Sequence, residues 1–254
     1  LSPKELPVPV HKSTVLILRC QDWSETSQVV HLLAREVGRL RCLAKGSRRG
    51  LNPFSGPLDR WTVGEAVFTQ ADPNRLATLM ELYETERFQG FREKLPAFYG
   101  ASCLTELVMA LVPDLEPQPD VFDLMMEALR RLDRVEPQAC QAITLAAAWR
   151  LLALLGYVPP MDQCVQCGQT LDTSGPMDYN AGLGGPVCPT CRPAEGTHHL
   201  TGKAAQAIAF LIRADGDDVE RVRLSPTTAT QVRAVLGARV EELAGKKLST
   251  LRYV

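Results

Sequence analysis

Two hydrophobic periods divide the chain. From Lys12 onward apolar residues fall two apart or in short β-branched runs, which is the pattern of strands. Residues 14–18 and 28–33 give the first two strands, joined by a polar turn at 22–27 that reads Asp-Trp-Ser-Glu-Thr-Ser. Gly38 opens a third, where Arg39 and Arg41 alternate with Leu40 and Cys42; one strand face is cationic and the other apolar. A loop with Gly46, Arg48, Arg49, Gly50, Pro53 and Pro57 follows, and then strand-like runs at 60–70 and 76–83. Five short strands within about 70 residues fit a small barrel of the OB type better than an open sheet.

Beyond about Thr85 the period becomes helical. Cys103/Leu104, Leu107/Val108 and Leu111/Val112 recur every three to four residues, and Pro113 ends the run. Asp120 is placed to cap a second helix, with Arg130, Arg131 and Arg134 on its polar side, and Pro137 suits the first turn of a third that stops at Gly156. Two more helices are expected at 202–214 and 226–244, the last started by Ser225-Pro226 and stopped by Gly245. The fold class predicted is therefore α+β and multidomain: an OB barrel at 1–84, helical parts at 85–160 and 199–254, and an inserted module at 161–198.

That insert carries the clearest chemistry. Cys164-Val-Gln-Cys167-Gly and Cys188-Pro-Thr-Cys191 are two Cys-x-x-Cys knuckles with twenty residues between them. Such pairs place four thiolates around one tetrahedral Zn²⁺, and Gly168 and Pro189 suit the tight turns this needs. The intervening segment, 170–186, is rich in Gly, Asp and Asn and reads as turns held in place by the metal. Four sulfurs close the coordination sphere, so the zinc, one per chain, is expected to be structural. A zinc deaminase needs His-x-Glu, and none of His11, His31, His198 or His199 has Glu two residues on. The remaining cysteines, Cys20, Cys42, Cys103 and Cys140, stand singly among apolar residues and read as buried hydrophobes.

Charge adds a direction. The whole chain is near neutral, at −1, but residues 1–60 hold ten Lys/Arg against five Asp/Glu. A basic barrel on an acidic body suggests one anion-binding face. The candidate cations are Arg35, Arg39, Arg41, Lys45, Arg48, Arg49 and Arg60, a set that fits phosphate contacts with little sequence preference. The aromatics are few, and Trp23, Phe54 and Trp61 read as core or loop anchors before base platforms. No Walker loop is present: in Gly196–Lys203 the spacing is one too long and Ala204 stands where Ser or Thr should be. Residues 1–10 hold three prolines and no apolar run, no segment reaches membrane length, and paired Cys-x-x-Cys suits a reducing compartment; a cytoplasmic protein is expected.

An ordered set of stretches then resembles RecO, a bacterial family of recombination and repair mediators. They are Asp22-Trp23-Ser24-Glu25 with Gly38-Arg39-Leu40-Arg41-Cys42-Leu43-Ala44-Lys45-Gly46, and Asn52-Pro53-Phe54 with Pro57-Leu58. Phe98-Tyr99 with Thr105-Glu106-Leu107 follows, then Leu155-Gly156-Tyr157 running into the first knuckle, and finally Gly245-Lys246-Lys247-Leu248-Ser249. The resemblance implies a non-enzymatic protein that binds single- and double-stranded DNA and anneals complementary strands. It implies partners as well: RecR, RecF, and the acidic C-terminal tail of single-stranded-DNA-binding protein, on whose coated strands RecA is loaded. By position it puts DNA contacts on Arg39, Arg41 and Lys45, with Arg48 and Arg49 added from charge; Arg130 and Arg131 are candidates for the acidic tail. The competing reading is a zinc-containing transcription or translation factor without annealing activity.

Overall fold

The computed structural model describes residues 9–54, 58–70, 72, 74–158 and 160–254; Pro57 and most of the proline-bearing segment 1–10 lie outside them. The chain forms two units. One holds the residues up to Phe88 together with Val112–Asp123, the other Gln89–Leu111 with Leu124–Val254.

The first unit is the expected barrel. Strands β1 (Val10–Asp22), β2 (Gln28–Ala34), β3 (Gly38–Ala44), β4 (Val63–Thr69) and β5 (Ala77–Glu86) close in the order β1-β2-β3-β5-β4. All pairings are antiparallel except β3 with β5. Alternation supplies the interior: Val30, Leu32, Leu40, Cys42, Ala66 and Phe68 point inward and are almost fully buried. β4 starts at Val63 rather than Arg60, because Trp61 takes a φ of 60° that no strand residue adopts.

One irregularity decides where a charge points. The β1–β2 register shifts between Ile17 and Arg19, leaving Leu18 as an extra residue, a β-bulge. Before it Val15 and Ile17 face the interior; after it Cys20 does. Strict alternation from Ile17 would aim Arg19 into the apolar core, and the inserted residue turns it outward, where it is exposed. The bulge is held from its other side, since the Trp61 N–H donates to the Ile17 carbonyl at 2.8 Å and the Ile17 N–H donates to that of Thr62 at 2.9 Å.

β3 meets β5 only at Cys42, Leu43 and Ala44, so its first half would present an open edge. Residues 112–123, expected in the helical part from sequence, lie here instead. Asp114 bridges to Arg39 in parallel, and the Leu115 N–H donates to the Arg39 carbonyl at 2.8 Å. Gly38 makes the approach possible: its φ is +90°, and a Cβ there would stand 2.1 Å from the Glu116 carbonyl oxygen. Gly38→Ala is therefore expected to lose the ~1–3 kcal/mol of a left-handed non-glycine backbone and more for the clash. A thermal melt with an unchanged midpoint would contradict this.

The second unit is helical, with α1 (Gly90–Glu93), α2 (Leu95–Leu111), α3 (Pro119–Arg134), α4 (Pro137–Leu154), α5 (Gly202–Arg213), α6 (Gly216–Arg221) and α7 (Pro226–Ala244), and a final 3₁₀ turn at Leu251–Tyr253. Both ends read for the last helix agree. Ser225 accepts from the Thr228 N–H, and Gly245, at φ 66°, donates to the Glu241 carbonyl. Pro119, not Asp120, begins α3, since proline is already shaped for the first helical position. α6 was not anticipated; Asp215 starts it by accepting from the Asp218 N–H. Among the described residues no helix is long and apolar enough to cross a membrane.

The segment 170–186 is more ordered than its glycines suggested. Strands β6 (Met177–Asn180), β7 (Gly185–Val187) and β8 (Thr197–Leu200) form a small sheet in the order β7-β6-β8. Its anchor is Tyr179, fully buried, set edge-on to the buried Trp149 of α4 with ring centroids 6.3 Å apart. The Tyr179 hydroxyl donates to the Gly184 carbonyl at 2.9 Å. Side-chain packing thus takes part in ordering this module beside the four-cysteine cluster. Of the single cysteines, Cys42, Cys103 and Cys140 are buried and Cys20 is half-buried; burial pushes the Cys42 and Cys103 thiols up to about 12, which makes them inert.

Candidate nucleic-acid interface and metal centre

The outward side of β1, β2 and β3 carries a row of basic groups in register. Arg19 pairs with His31, and His31 pairs with Arg41. Residues directly opposite across a sheet share a face with Cβ atoms about 5 Å apart, so the three side chains emerge side by side. Like charges so placed repel, and an anion laid across them relieves the repulsion. The effect already registers on the central group: burial, then Arg19, Arg41 and Arg39, lower the His31 pKa, with Asp114 alone opposing them. The other side of the barrel has the opposite sign, with Glu65, Glu81, Glu84 and Glu86 along β4 and β5.

The predicted cations separate into two groups. Arg35 is held in a fork by Asp123 at 2.9 and 2.8 Å. Arg39 reaches Asp114 at 2.8 Å, and Arg48 reaches Asp22 at 3.0 Å. Arg60 lies over the Trp61 ring, 4.8 Å from its centroid. Arg41, Lys45 and Arg49 are exposed and have no carboxylate partner among the described residues, and the same is true of Arg19. Sequence reasoning missed Arg19 because a bulge leaves no pattern of its own. The one available signal was a charge that simple alternation would bury.

The aromatics also divide. Phe54 belongs to the barrel interior and Trp61 is 7% exposed, both anchors as expected. Trp23 corrects the expectation, being 65% exposed at the turn between β1 and β2. That turn is fixed to the exit of β3: the Arg48 N–H donates to the Thr26 carbonyl at 3.1 Å, and the Gly46 N–H to the Ser27 hydroxyl at 3.2 Å. Trp23 closes the turn itself by donating from its N–H to the Ser27 carbonyl at 2.9 Å.

On α3, Arg130 is exposed and has an interaction of its own, and Arg131 is engaged inside the second unit. Its guanidinium contacts Asp217 at 2.8 Å, Glu220 at 2.6 Å and Glu127 at 3.1 Å, and it lies against Gly216 where any side chain would collide with it. Burial works against that charge, but the three carboxylates outweigh it and raise the Arg131 pKa.

The four knuckle cysteines converge. Their sulfurs all lie within 4.8 Å of one another, with Cys167 and Cys188 at 3.9 Å. A tetrahedron with Zn–S bonds of 2.3 Å has edges of about 3.8 Å, so the cage is the right size for that ion. It is also far wider than a disulfide, and all four thiols are free. Each knuckle is a tight turn. The Gly168 N–H donates to the Cys164 carbonyl at 2.9 Å with φ at 74°, and the Cys191 N–H donates to the Cys188 carbonyl at 3.1 Å. Burial alone would raise the Cys164 pKa, but N–H groups of Cys188, Cys167 and Gln166 aimed at its sulfur bring it to about 6. Cys191 is pushed the other way, to about 12, chiefly by the sulfurs of Cys188 and Cys167. Such a set is complete for a metal ion and leaves no open position for a substrate.

Comparison with known proteins covers most of the chain. The family profile described as "Recombination protein O N terminal" matches residues 9–85, and "Recombination protein O C terminal" matches residues 92–252. The "DNA repair protein RecO" of Anaeromyxobacter sp. (strain Fw109-5) is 32% identical over 247 residues, 96% of this chain and 94% of its own length. That of Rhodopirellula baltica is 33% identical across 73% of this chain and 68% of its own length, and that of Bacillus pumilus 27% across 96% and 93%.

Proposed function

The chain belongs to the RecO family of DNA repair proteins, and from that premise we propose that it is a DNA-binding, strand-annealing mediator of recombination, not a bond-cleaving enzyme. The observation that carries this is the basic row Arg19–His31–Arg41 on the outside of β1–β3, continued by Lys45 and Arg49 beyond the strand. Two complementary strands repel through their phosphates. A face that neutralises one strand lowers that repulsion and lets the second approach, while the bases stay free to pair. Glu65, Glu81 and Glu84 keep the same strand off the far side of the barrel.

Cys164, Cys167, Cys188 and Cys191 would hold one Zn²⁺, whose role is to cross-link the module. The partners of this reading are those of a mediator: single- and double-stranded DNA, RecR, RecF, and strands coated by single-stranded-DNA-binding protein, onto which RecA is loaded. An acidic protein tail seeking Arg131 would have to displace Asp217 and Glu220.

The test is annealing of complementary oligonucleotides coated with the cognate single-strand-binding protein, with and without this chain. Acceleration is expected. In parallel, binding to a single strand should weaken with salt at a log–log slope of roughly −3, from four cations at about 0.7 each. No acceleration, or a slope near zero, would remove the barrel face as the functional surface.

A further inference from the structure

Trp23 is left unexplained by the phosphate contacts. Of the three tryptophans, Trp149 is fully buried and Trp61 is 7% exposed, but Trp23 stands 65% exposed. A large apolar ring in water on an ordered turn gains nothing for stability where it is. The turn is not loose: backbone bonds close it on Ser27 and tie it to residue 48, and the Ser27 hydroxyl ties it to residue 46, so the ring is carried on a rigid base. Its surroundings carry more cations than carboxylates, Glu25 being the exposed acid on its own turn. Arg48 bridges to Asp22 beside it, Arg49 and Lys45 are exposed on the loop it is tied to, and the Arg19–His31–Arg41 row begins on the same two strands. The barrel supplies its own contrast in Tyr83, 75% exposed on β5, which pairs with Glu65 and is flanked by Glu84. That aromatic lies among carboxylates, where a nucleic-acid strand does not go.

From this we infer that Trp23 is a base-stacking platform at the end of the cationic face, and that it makes the face prefer single strands to duplex. The inference deepens the DNA-binding reading above and rests on it. A phosphate contact is available from either form of DNA, but a base face is available only from an unpaired strand, because duplex bases are already stacked on each other. Stacking tolerates any base, so the platform adds affinity for single strands without adding sequence preference. It also holds one base unpaired at the edge of the neutralised track, where a complementary strand can begin to pair.

The experiment measures equilibrium binding of Trp23→Ala and Trp23→Phe, beside the parent chain, to a labelled thymidine oligonucleotide and to a duplex of the same length across a salt series. Trp23→Ala should lose about five- to hundred-fold in single-strand affinity, the range of one stacked base. Its salt slope and its duplex affinity should match the parent's, and Trp23→Phe should recover most of the loss. Intrinsic fluorescence gives a second readout: the parent's emission should be quenched by the oligonucleotide, and Trp23→Phe should lose that quenching while the two buried tryptophans still report a folded chain. Equal loss on single strand and duplex, or no loss on either, overturns the platform while leaving the phosphate-binding face intact. A parent chain that binds neither form overturns both.

Discussion

A chain carrying Arg19→Glu and Arg41→Glu together is expected to lose about 100-fold in single-strand affinity near 0.1 M salt, and with it the ability to speed annealing, while melting as the parent does. Each lost phosphate contact removes about 0.7 from the salt slope, or about five-fold in affinity at that ionic strength. Two contacts give about 25-fold, and repulsion from two new carboxylates supplies the rest. The fold should be indifferent. Both side chains are exposed, and neither meets a carboxylate among the described residues. The substitutions would also remove two of the neighbouring cations that lower the His31 pKa. Circular dichroism and melting establish that the variant is folded, fluorescence anisotropy gives its affinity, and the annealing rate gives its function. The control is Arg35→Gln, which removes a cation already paired with Asp123 and adds no carboxylate. If the double variant kept the parent's affinity, phosphate binding would have to lie off the β1–β3 face.

How much of this face was legible in the sequence depends on the strand. In β3 the alternation of Arg39 and Arg41 with Leu40 and Cys42 was open to view, and the structure keeps it: the leucine and cysteine are buried, and the two arginines point out. What alternation could not reveal was that Arg39 already had a partner, because Asp114 comes from a segment about seventy residues away that closes the open edge of β3. In β1 the same rule, carried past residue 18, would mislead. A bulge moves the phase by one residue, and only pairing with β2 on one side and Trp61–Thr62 on the other fixes its place. Trp23 shows the limit from composition: most tryptophans are buried, and only the hydrogen bonds of its turn hold this one in water. Caps and stops of helices, being local, were read correctly at Ser225 and Gly245. The sheet β6–β8 was not, because its stability comes from Tyr179 packing on Trp149, thirty residues earlier in the chain.

Removing the metal, by chelation or by Cys164→Ser, should lower the melting temperature of the chain by about 8–16 °C. The knuckles hold their sulfurs in a cage with a small apolar surround: among the described residues Val187, with Val165 and Leu171 at the margin, packs beside the buried Cys164 and Cys188. Structural zinc sites bind with about 10–16 kcal/mol in isolated peptides. Here part of the module has a second anchor in Tyr179, so the loss should be a fraction of that, about 4 kcal/mol or more. For a chain of this size each kcal/mol moves the midpoint by about 2–4 °C. Cys164→Ser is the sharper probe, because Cys164 is the ligand whose sulfur accepts the Cys188 N–H, so one substitution loosens both knuckles. Metal content should fall from one zinc per chain to a substoichiometric value in the variant, measured by release into a colorimetric chelator. The DNA salt slope below the melting temperature should not change, since the barrel row includes no residue of the module. A metal-free chain that melts where the loaded one does would show that Tyr179 and the β6–β8 sheet order the insert alone, and the cage would then need another reason to exist.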